Sequence, residues 1–150
     1  MTETDDVSTP TTMRIGEVAT RTGLTTRTIR YYEEVGLLRG EAERGKGQHR
    51  QYDEADVEQL LLIHALSRLL GASLEEVQRL VRPELAQVAS DRRWDRIETM
   101  AQRLSVVETA LATVERLLEL VRAHRGALEQ LEDQLERRLA VIESRPVVGA

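Results

Sequence analysis

The hydrophobic positions near the start of the chain follow a helical period and are separated by short polar turns. Between residues 15 and 38 they form two short segments, and Gly23 between them can take the positive φ that a tight helix-to-helix turn needs. Thr25 is placed to cap the second segment, in which Ile29 faces inward and which Gly36 ends. This pattern predicts a helix-turn-helix, whose second helix enters the major groove of DNA.

Two more helices are predicted farther along. Asp53 caps the first of them, a strongly apolar helix that Gly71 ends and that is expected to lie at the centre of the fold. Ser73 opens the second with a capping box, and this helix covers residues 74–81 before Pro83 interrupts it.

Residues 38–52 join the second and third helices and contain three glycines among several basic side chains. On composition alone, a solvated loop and a β-hairpin are equally compatible with the segment. Its place directly behind a helix-turn-helix favours the hairpin, which would form a wing over the phosphate backbone of DNA.

From Trp94 onward the apolar residues recur every seven positions, with a second series in the companion positions. Four regular heptads predict a coiled-coil helix. The companion series holds leucine and the other series holds valine, which is the reverse of what parallel two-stranded coils prefer. The residues predicted to form the dimer contact are Ile97, Met100, Leu104, Val107, Leu111, Val114, Leu118 and Val121.

This repeat weakens towards its end. The companion series fails at Arg125 and Glu132, while Leu131 continues the apolar surface in a shifted phase. Gly126 is typical of a helix stop. One long helix with a phase slip and two helices meeting near residues 123–126 are both compatible with the pattern, and two helices are favoured.

The charge distribution supports the assignment of the helix-turn-helix. The net charge is −5, but residues 13–52 hold eight basic against five acidic side chains. The positive charge is thus concentrated where a DNA-binding surface is predicted. The chain has no cysteine, which excludes disulfides and thiolate metal sites.

Four motifs, in order and in register over about half of the chain, resemble the DNA-binding domain of MerR-family transcription regulators. Any one of them would be a weak signal, but the set is specific. Near the end of the wing the family usually shows Asn-Gly-Tyr-Arg, and this chain departs from it with Gly47 to Arg50. The four motifs are Ile15-Gly16-Glu17-Val18-Ala19, Thr28-Ile29-Arg30-Tyr31-Tyr32-Glu33, Gly36-Leu37-Leu38 and Arg50-Gln51-Tyr52.

Thr25, Thr26 and Arg27 stand at the exposed start of the second helix and are predicted to reach the bases, with Arg27 the best candidate for a guanine contact. The resemblance implies that Arg30, Tyr31, Arg50 and Tyr52 hold phosphates and that Tyr32 packs beside them. The predicted DNA-binding residues are Thr25, Thr26, Arg27, Arg30, Tyr31, Tyr32, Lys46, Arg50 and Tyr52.

The resemblance also implies an antiparallel homodimer that bends and untwists promoter DNA so that RNA polymerase can engage. A plain repressor is equally compatible with the sequence. A small-molecule effector pocket with Trp94 in its wall is a further interpretation, but a dimer helix without a sensing role is favoured. A coiled-coil adaptor that binds only proteins is the alternative from another class, and the basic segment argues against it.

The sequence shows no arrangement of residues that is typical of a catalytic site. No pair of carboxylates is set apart for acid–base work, and His64 is typical of a half-buried core histidine, so neither an enzyme nor a metal or cofactor site is predicted. No apolar run has the length of a membrane span, and a cytoplasmic protein is expected. The predicted organisation is mainly α: residues 1–12 a disordered tail, 13–82 a winged helix-turn-helix domain, 83–145 a long antiparallel coiled-coil dimerisation region with space for an effector, and 146–150 a second tail.

Overall fold

The computed structural model describes residues 12–38 and 51–147. Most of the predicted tail, the predicted wing with Lys46 and Arg50, and the last three residues lie outside these ranges. Within them the chain is helical, as predicted, and contains one isolated β-bridge and no longer strand. The helices are α1 (Ile15–Thr22), α2 (Thr26–Glu34), α3 (Glu54–Leu69), α4 (Leu74–Leu80), α5 (Pro83–Ala89), α6 (Asp91–Trp94) and α7 (Met100–Glu143).

The predicted helix ends of the helix-turn-helix are confirmed. Gly23 directly follows α1 and has a φ of 72°. Gly36 follows Val35, the C-cap residue of α2, and has a φ of 80°. The Thr25 Oγ1 atom accepts a hydrogen bond from the Thr28 backbone N–H at 3.1 Å, so Thr25 is the N-cap of α2. The local sequence therefore fixes where both helices begin and end.

The caps of the next two helices are also as predicted. Asp53 and Asp56 exchange backbone-to-side-chain hydrogen bonds of 3.0 and 3.1 Å at the start of α3. Ser73 and Glu76 do the same at the start of α4, at 2.7 and 3.3 Å. Each pair satisfies two backbone N–H groups that have no partner inside the helix.

A single apolar cluster joins α1, α2 and α3. Val18 of α1, Ile29 of α2 and Leu60 of α3 are fully buried in it. Met13 and Tyr52 belong to the same cluster and form the antiparallel bridge, with N–H to O distances of 2.7 and 2.9 Å. The residues just before α1 and just before α3 are therefore tied together in the core.

Helix α4 ends before Pro83, as predicted. Pro83 also begins the next helix, because it occupies the first turn of α5, where its missing N–H costs no hydrogen bond. Helices α5 and α6 follow without a break in packing, because α5 lies against α3 and α6 against α5. The first compact unit of the chain runs to Glu115.

The favoured prediction of two helices meeting near Gly126 is wrong, because α7 continues through this residue. A glycine inside a helix costs only about 1 kcal/mol relative to alanine, and neither a proline nor a capping residue follows Gly126 closely. The second compact unit begins at Arg116, inside α7, and contains the rest of this helix.

Ile97 was predicted as the first dimer contact, but the structure places it elsewhere. Thr99 and Gln102 form reciprocal backbone-to-side-chain hydrogen bonds of 3.2 and 3.3 Å, so α7 begins at Met100 and Ile97 precedes it. The Ile97 side chain is buried within its own chain. It therefore cannot be part of an exposed dimer stripe on α7.

Candidate nucleic-acid interface

The exposed face of α2 carries the residues that the sequence singled out for DNA. Arg27, Arg30 and Tyr31 are all exposed, while Ile29 on the opposite face is fully buried. Residues three and four positions apart share one face of a helix, so the two guanidinium groups and the phenol lie side by side. The predicted separation of α2 into an inward and an outward face is confirmed.

The exposed N-terminal turn of this helix is ordered by its cap. The Thr25 and Thr28 hydroxyl oxygens lie 2.8 Å apart, in addition to the bond from the Thr28 backbone to Thr25. Thr25, Thr26 and Arg27 are exposed at this turn. In a recognition helix the N-terminal residues are the ones that reach the base edges. These three side chains are therefore placed where base contacts are made.

The C-terminal end of α2 is held by side chains from the next two helices. The Gln78 side chain of α4 donates to the Val35 carbonyl oxygen at 3.1 Å, and the Gln59 side chain of α3 donates to the Leu37 carbonyl oxygen at 3.4 Å. These carbonyl groups lie in the turn after α2. Both ends of α2 are therefore held by hydrogen bonds, which fixes the backbone that carries its outward side chains.

The outward face of α2 also contains an acidic side chain that the sequence analysis did not single out. Glu34 is exposed and lies one turn beyond Arg30. Its position seven residues after Arg27 was a sequence signal for a shared face, but its charge argued against DNA. The residues that line this open surface are Thr26, Arg27, Thr28, Arg30, Tyr31 and Glu34.

The two adjacent tyrosines of α2 have different environments. Tyr31 is 46% exposed, whereas Tyr32 is half-buried and packs against the apolar cluster. Their ring centroids are 6.4 Å apart. Burial raises the pKa of Tyr32, and the neighbouring Tyr31 raises this pKa further.

The structure does not place Tyr52 with the predicted phosphate contacts. Its relative exposure is 0%, and it belongs to the apolar cluster together with Leu38. A phosphate group can contact only an exposed side chain, so this role does not fit Tyr52. Leu38 and Tyr52 flank the predicted wing, so both flanks of that segment are anchored in the same core.

An ion pair that the sequence analysis missed supports the first helix. Arg21 in the last turn of α1 makes two hydrogen bonds, of 2.6 and 2.7 Å, to the Glu54 carboxylate at the start of α3. The Arg21 guanidinium lowers the pKa of Glu54, and the carboxylate raises the pKa of Arg21. The two residues are 33 positions apart, which is why no local pattern revealed them.

Within residues 12–38 and 51–147 there is no group of three or more His, Cys, Asp or Glu side chains that could hold a metal ion. In the same ranges no helix is long and apolar enough to span a membrane.

Comparison with known proteins identifies the N-terminal part of the chain. Residues 13–83 match the family model described as MerR HTH family regulatory protein. The matched segment begins at the bridge residue Met13 and includes α1 to α4. It contains all of the residues on the outward face of α2.

Curated relatives are similar over most of the chain. The HTH-type transcriptional regulator YfmP of Bacillus subtilis (strain 168) is 30% identical over 83% of this chain and 98% of its own length. HmrR of Rhizobium leguminosarum bv. viciae, also an HTH-type transcriptional regulator, is 36% identical over 79% of this chain and 83% of its own. Nodulation protein NolA of Bradyrhizobium sp. (strain NC92) is 34% identical over 89% of this chain, which spans only 54% of NolA.

Proposed function

The chain belongs to the MerR family of helix-turn-helix regulatory proteins, and on that premise we propose that it binds promoter DNA sequence-specifically as a homodimer and regulates transcription. The observation that carries this proposal is the exposed face of α2. Arg27 and Arg30 are exposed on one side of this helix, and Ile29 on its opposite side is buried in the core.

The N-terminal turn of α2 reads the bases in this proposal. Arg27 forms two hydrogen bonds with a guanine, the base whose O6 and N7 atoms match a guanidinium in the major groove. Thr25 and Thr26 contact neighbouring base edges. Their hydroxyl groups both donate and accept hydrogen bonds, so they suit more than one base.

The phosphate contacts come from side chains that flank the reading turn. Arg30 and Tyr31 are exposed and lie one turn after the reading residues, where they hold the DNA backbone without reading sequence. Lys46 and Arg50, from the proposed wing, add phosphate contacts of the same kind. Because Tyr52 is buried, its role in the proposal is to anchor the end of the wing.

In this proposal the exposed apolar side chains of α7 join two copies of the chain, and each copy contributes one helix-turn-helix. A twofold dimer binds an inverted repeat, whose half-sites are separated by one or more turns of the double helix. At the promoter the dimer deforms the DNA, and RNA polymerase responds to the altered spacing. Occlusion of polymerase is the alternative outcome of the same binding event.

The region around Trp94 bears on whether the protein senses a small molecule. The Arg103 guanidinium lies over the Trp94 ring, 5.4 Å from its centroid, and the Arg103 Nε atom donates to the Ile97 carbonyl oxygen at 3.1 Å. These contacts pin the turn before α7. They support a packing role for Trp94, so our proposal assigns it no ligand.

Selection of binding sites from random duplex DNA at about physiological salt tests the function. An enriched inverted repeat with fixed spacing is the expected result, and its position inside a promoter spacer or over a start site distinguishes activation from repression. Wild-type protein and Arg27→Ala are compared in parallel, since the variant should lose preference at one position of each half-site. If no sequence is enriched while the protein is dimeric, the proposal fails and a protein-binding adaptor replaces it.

A further inference from the structure

The outward face of α2 carries one negative charge behind its positive ones. Arg27 and Arg30 are exposed on this face, and so is Glu34, the last residue of the helix. Seven residues bring a helical side chain back to nearly the same direction, so Glu34 lies behind Arg27 and about 10 Å farther along the helix axis. Among the described residues that line this face, Glu34 is the only acidic one. The face is therefore positive at its start and negative at its end.

Glu34 does not support the fold. Its neighbour Glu33 is buried, but Glu34 is exposed. In the ranges that the structure describes, the Glu34 carboxylate forms no ion pair and accepts no hydrogen bond. A carboxylate at the C-terminal end of a helix is also disfavoured by the helix dipole, and the last turn of α2 holds no basic residue to offset it. The Glu34 charge therefore acts on what approaches this face rather than on the fold.

The dipole of α2 adds to this division of charge. It places positive partial charge at the N-terminal end, beside Arg27, and negative partial charge at the C-terminal end, beside Glu34. A phosphate group is attracted to the first end and repelled by the second. The field therefore favours one placement of α2 on DNA, with its first turn in the groove and its last residue away from the phosphates.

We propose that Glu34 is a specificity determinant that acts by repulsion. Its carboxylate opposes every placement of α2 that brings the end of the helix against the phosphate backbone. This inference rests on the proposed function and assigns to Glu34 a part in it that differs from a base contact. Glu34 weakens binding to random DNA more than binding to the selected site, which is the inverted repeat enriched from random duplexes.

The two kinds of complex differ in how closely Glu34 approaches phosphates. Binding to random DNA is almost entirely electrostatic, and the protein slides and takes up many placements on the backbone. In the selected complex the contact of Arg27 with a base holds the first turn of α2 in the groove. Glu34, about 10 Å behind this turn, is then held at the rim. Specificity is a difference between two affinities, so a repulsion confined to the competing complexes increases it.

Glu34→Gln tests the proposal because it removes the charge and keeps the length of the side chain. A dimer loses two carboxylates, so its affinity for random duplex DNA should rise about fivefold at low salt, whereas its affinity for the selected site should rise less than about twofold. The ratio of the two affinities should therefore fall. Competition between labelled selected DNA and unlabelled random duplex of the same length measures both affinities.

Salt gives a readout that a structural role would not move. Repulsion between an exposed carboxylate and a phosphate is screened by dissolved ions. The affinity ratios of the wild type and Glu34→Gln should therefore differ most at about 0.05 M salt and converge by about 0.5 M. A difference that persisted unchanged at high salt would contradict an electrostatic role for Glu34.

Glu98→Gln is the matched control, because Glu98 is exposed and lies outside the helix-turn-helix, in the turn before α7. This substitution removes the same charge from the chain and should leave the affinity ratio unchanged. Both variants should melt within about 2 °C of the wild type, since neither side chain is buried. If Glu98→Gln lowers the ratio as much as Glu34→Gln does, the effect comes from net charge and the proposal fails.

The nearness of Arg30 to Glu34 allows a second explanation, since residues four positions apart are neighbours on a helix. If Glu34 acted by restraining the Arg30 side chain, Glu34→Gln would have no effect in an Arg30→Ala background. Direct repulsion of phosphates predicts the same fall in the affinity ratio in both backgrounds. Disappearance of the effect with Arg30→Ala would therefore sink the proposal.

A base contact by Glu34 would give the opposite result at the selected site. A carboxylate can accept a hydrogen bond from the N4 amino group of cytosine. Loss of that contact in Glu34→Gln would weaken binding to the selected site and relax base preference at one position. Either this outcome or an equal rise in affinity for both kinds of DNA would overturn the proposal.

Failure of this inference and failure of the proposed function give different results. If the wild type enriches no sequence from random duplexes, the proposed function falls and the inference falls with it. If the wild type enriches an inverted repeat but Glu34→Gln leaves the affinity ratio unchanged, only the role of Glu34 is removed.

Discussion

The Arg93 Nη2 atom lies 2.5 Å from the Asp56 Oδ1 atom, and both side chains are buried. The same nitrogen is 3.5 Å from the Asp53 Oδ1 atom, and the Ser90 hydroxyl donates to the Asp53 Oδ2 atom at 2.7 Å. This network ties the segment around α6 to the first turn of α3. Asp53 directly follows Tyr52, so the network also reaches the residue that anchors the end of the proposed wing.

Replacing Asp56 with asparagine should lower the free energy of unfolding by about 3 kcal/mol, because it leaves the buried Arg93 guanidinium with a weaker counter-charge. The neighbouring Asp53 carboxylate keeps the loss at the lower end of the usual range. Urea denaturation followed by circular dichroism measures the effect. Asp95→Asn, at an exposed position in the same region, is the matched control and should change the value by less than about 0.5 kcal/mol.

A double-mutant cycle shows whether the effect comes from the pair itself. Arg93→Met with Asp56→Asn should cost less than the sum of the two single substitutions, because removing both charges leaves no buried ion alone. Strictly additive costs would contradict a direct interaction between Arg93 and Asp56.

Arg27→Ala should relax base preference at one position in each half-site and cost about 1–3 kcal/mol per lost contact. The physical reason is that a guanidinium at the exposed first turn of α2 can form two hydrogen bonds with guanine, which alanine cannot replace. Competition binding with the selected site and its single-base variants measures this. An unchanged pattern of preference would remove Arg27 from the reading role.

Arg30→Ala should weaken binding to all DNA sequences by a similar factor. If Arg30 neutralises one phosphate per protomer, the slope of log K against log salt should fall by about one for each lost contact. Titrations at several salt concentrations measure the slope for the selected site and for random DNA. A loss confined to the selected site would show instead that Arg30 reads a base.

Local chemistry explains why much of the fold was predictable. Thr25, Asp53 and Ser73 are N-caps with their partners three residues away, and Gly23 and Gly36 provide the positive φ that ends a helix. Such signals lie within a few neighbouring residues, so the sequence displays them directly. The outward face of α2 followed from the same local periodicity.

What the sequence did not reveal depends on residues that meet only in the folded chain. Tyr52 looks like a surface tyrosine at the end of a basic segment, but its backbone pairs with Met13 and draws it into the core. Arg93 lies in a run of charged residues that is typical of a solvent-exposed segment, but in the folded chain it is buried and forms an ion pair with Asp56. The continuation of α7 through Gly126 has another cause, since a local helix-stop signal was outweighed by the good helix-formers on both sides.

The Arg21–Glu54 pair makes stability dependent on pH in a predictable direction. The Glu54 carboxylate has a pKa below the ordinary glutamate value because the folded state places Arg21 against it. A lowered pKa in the folded state stabilises the fold at every pH above the unfolded-state pKa. This contribution is lost as the pH falls through the folded-state pKa, because the protonated carboxyl no longer attracts the guanidinium.

Glu54→Gln should therefore lower the melting temperature slightly at neutral pH and have no effect once the pH is below the folded-state pKa of Glu54. The difference should be small, and it should shrink further at high salt, since both side chains are exposed to screening ions. Thermal melts of the wild type and the variant from about pH 7 to pH 3 measure it. Glu58→Gln, one turn along α3 at another exposed site, is the control for removing a negative charge alone. A gap between Glu54→Gln and wild type that widened on acidification would mean that the pair does not stabilise the folded state.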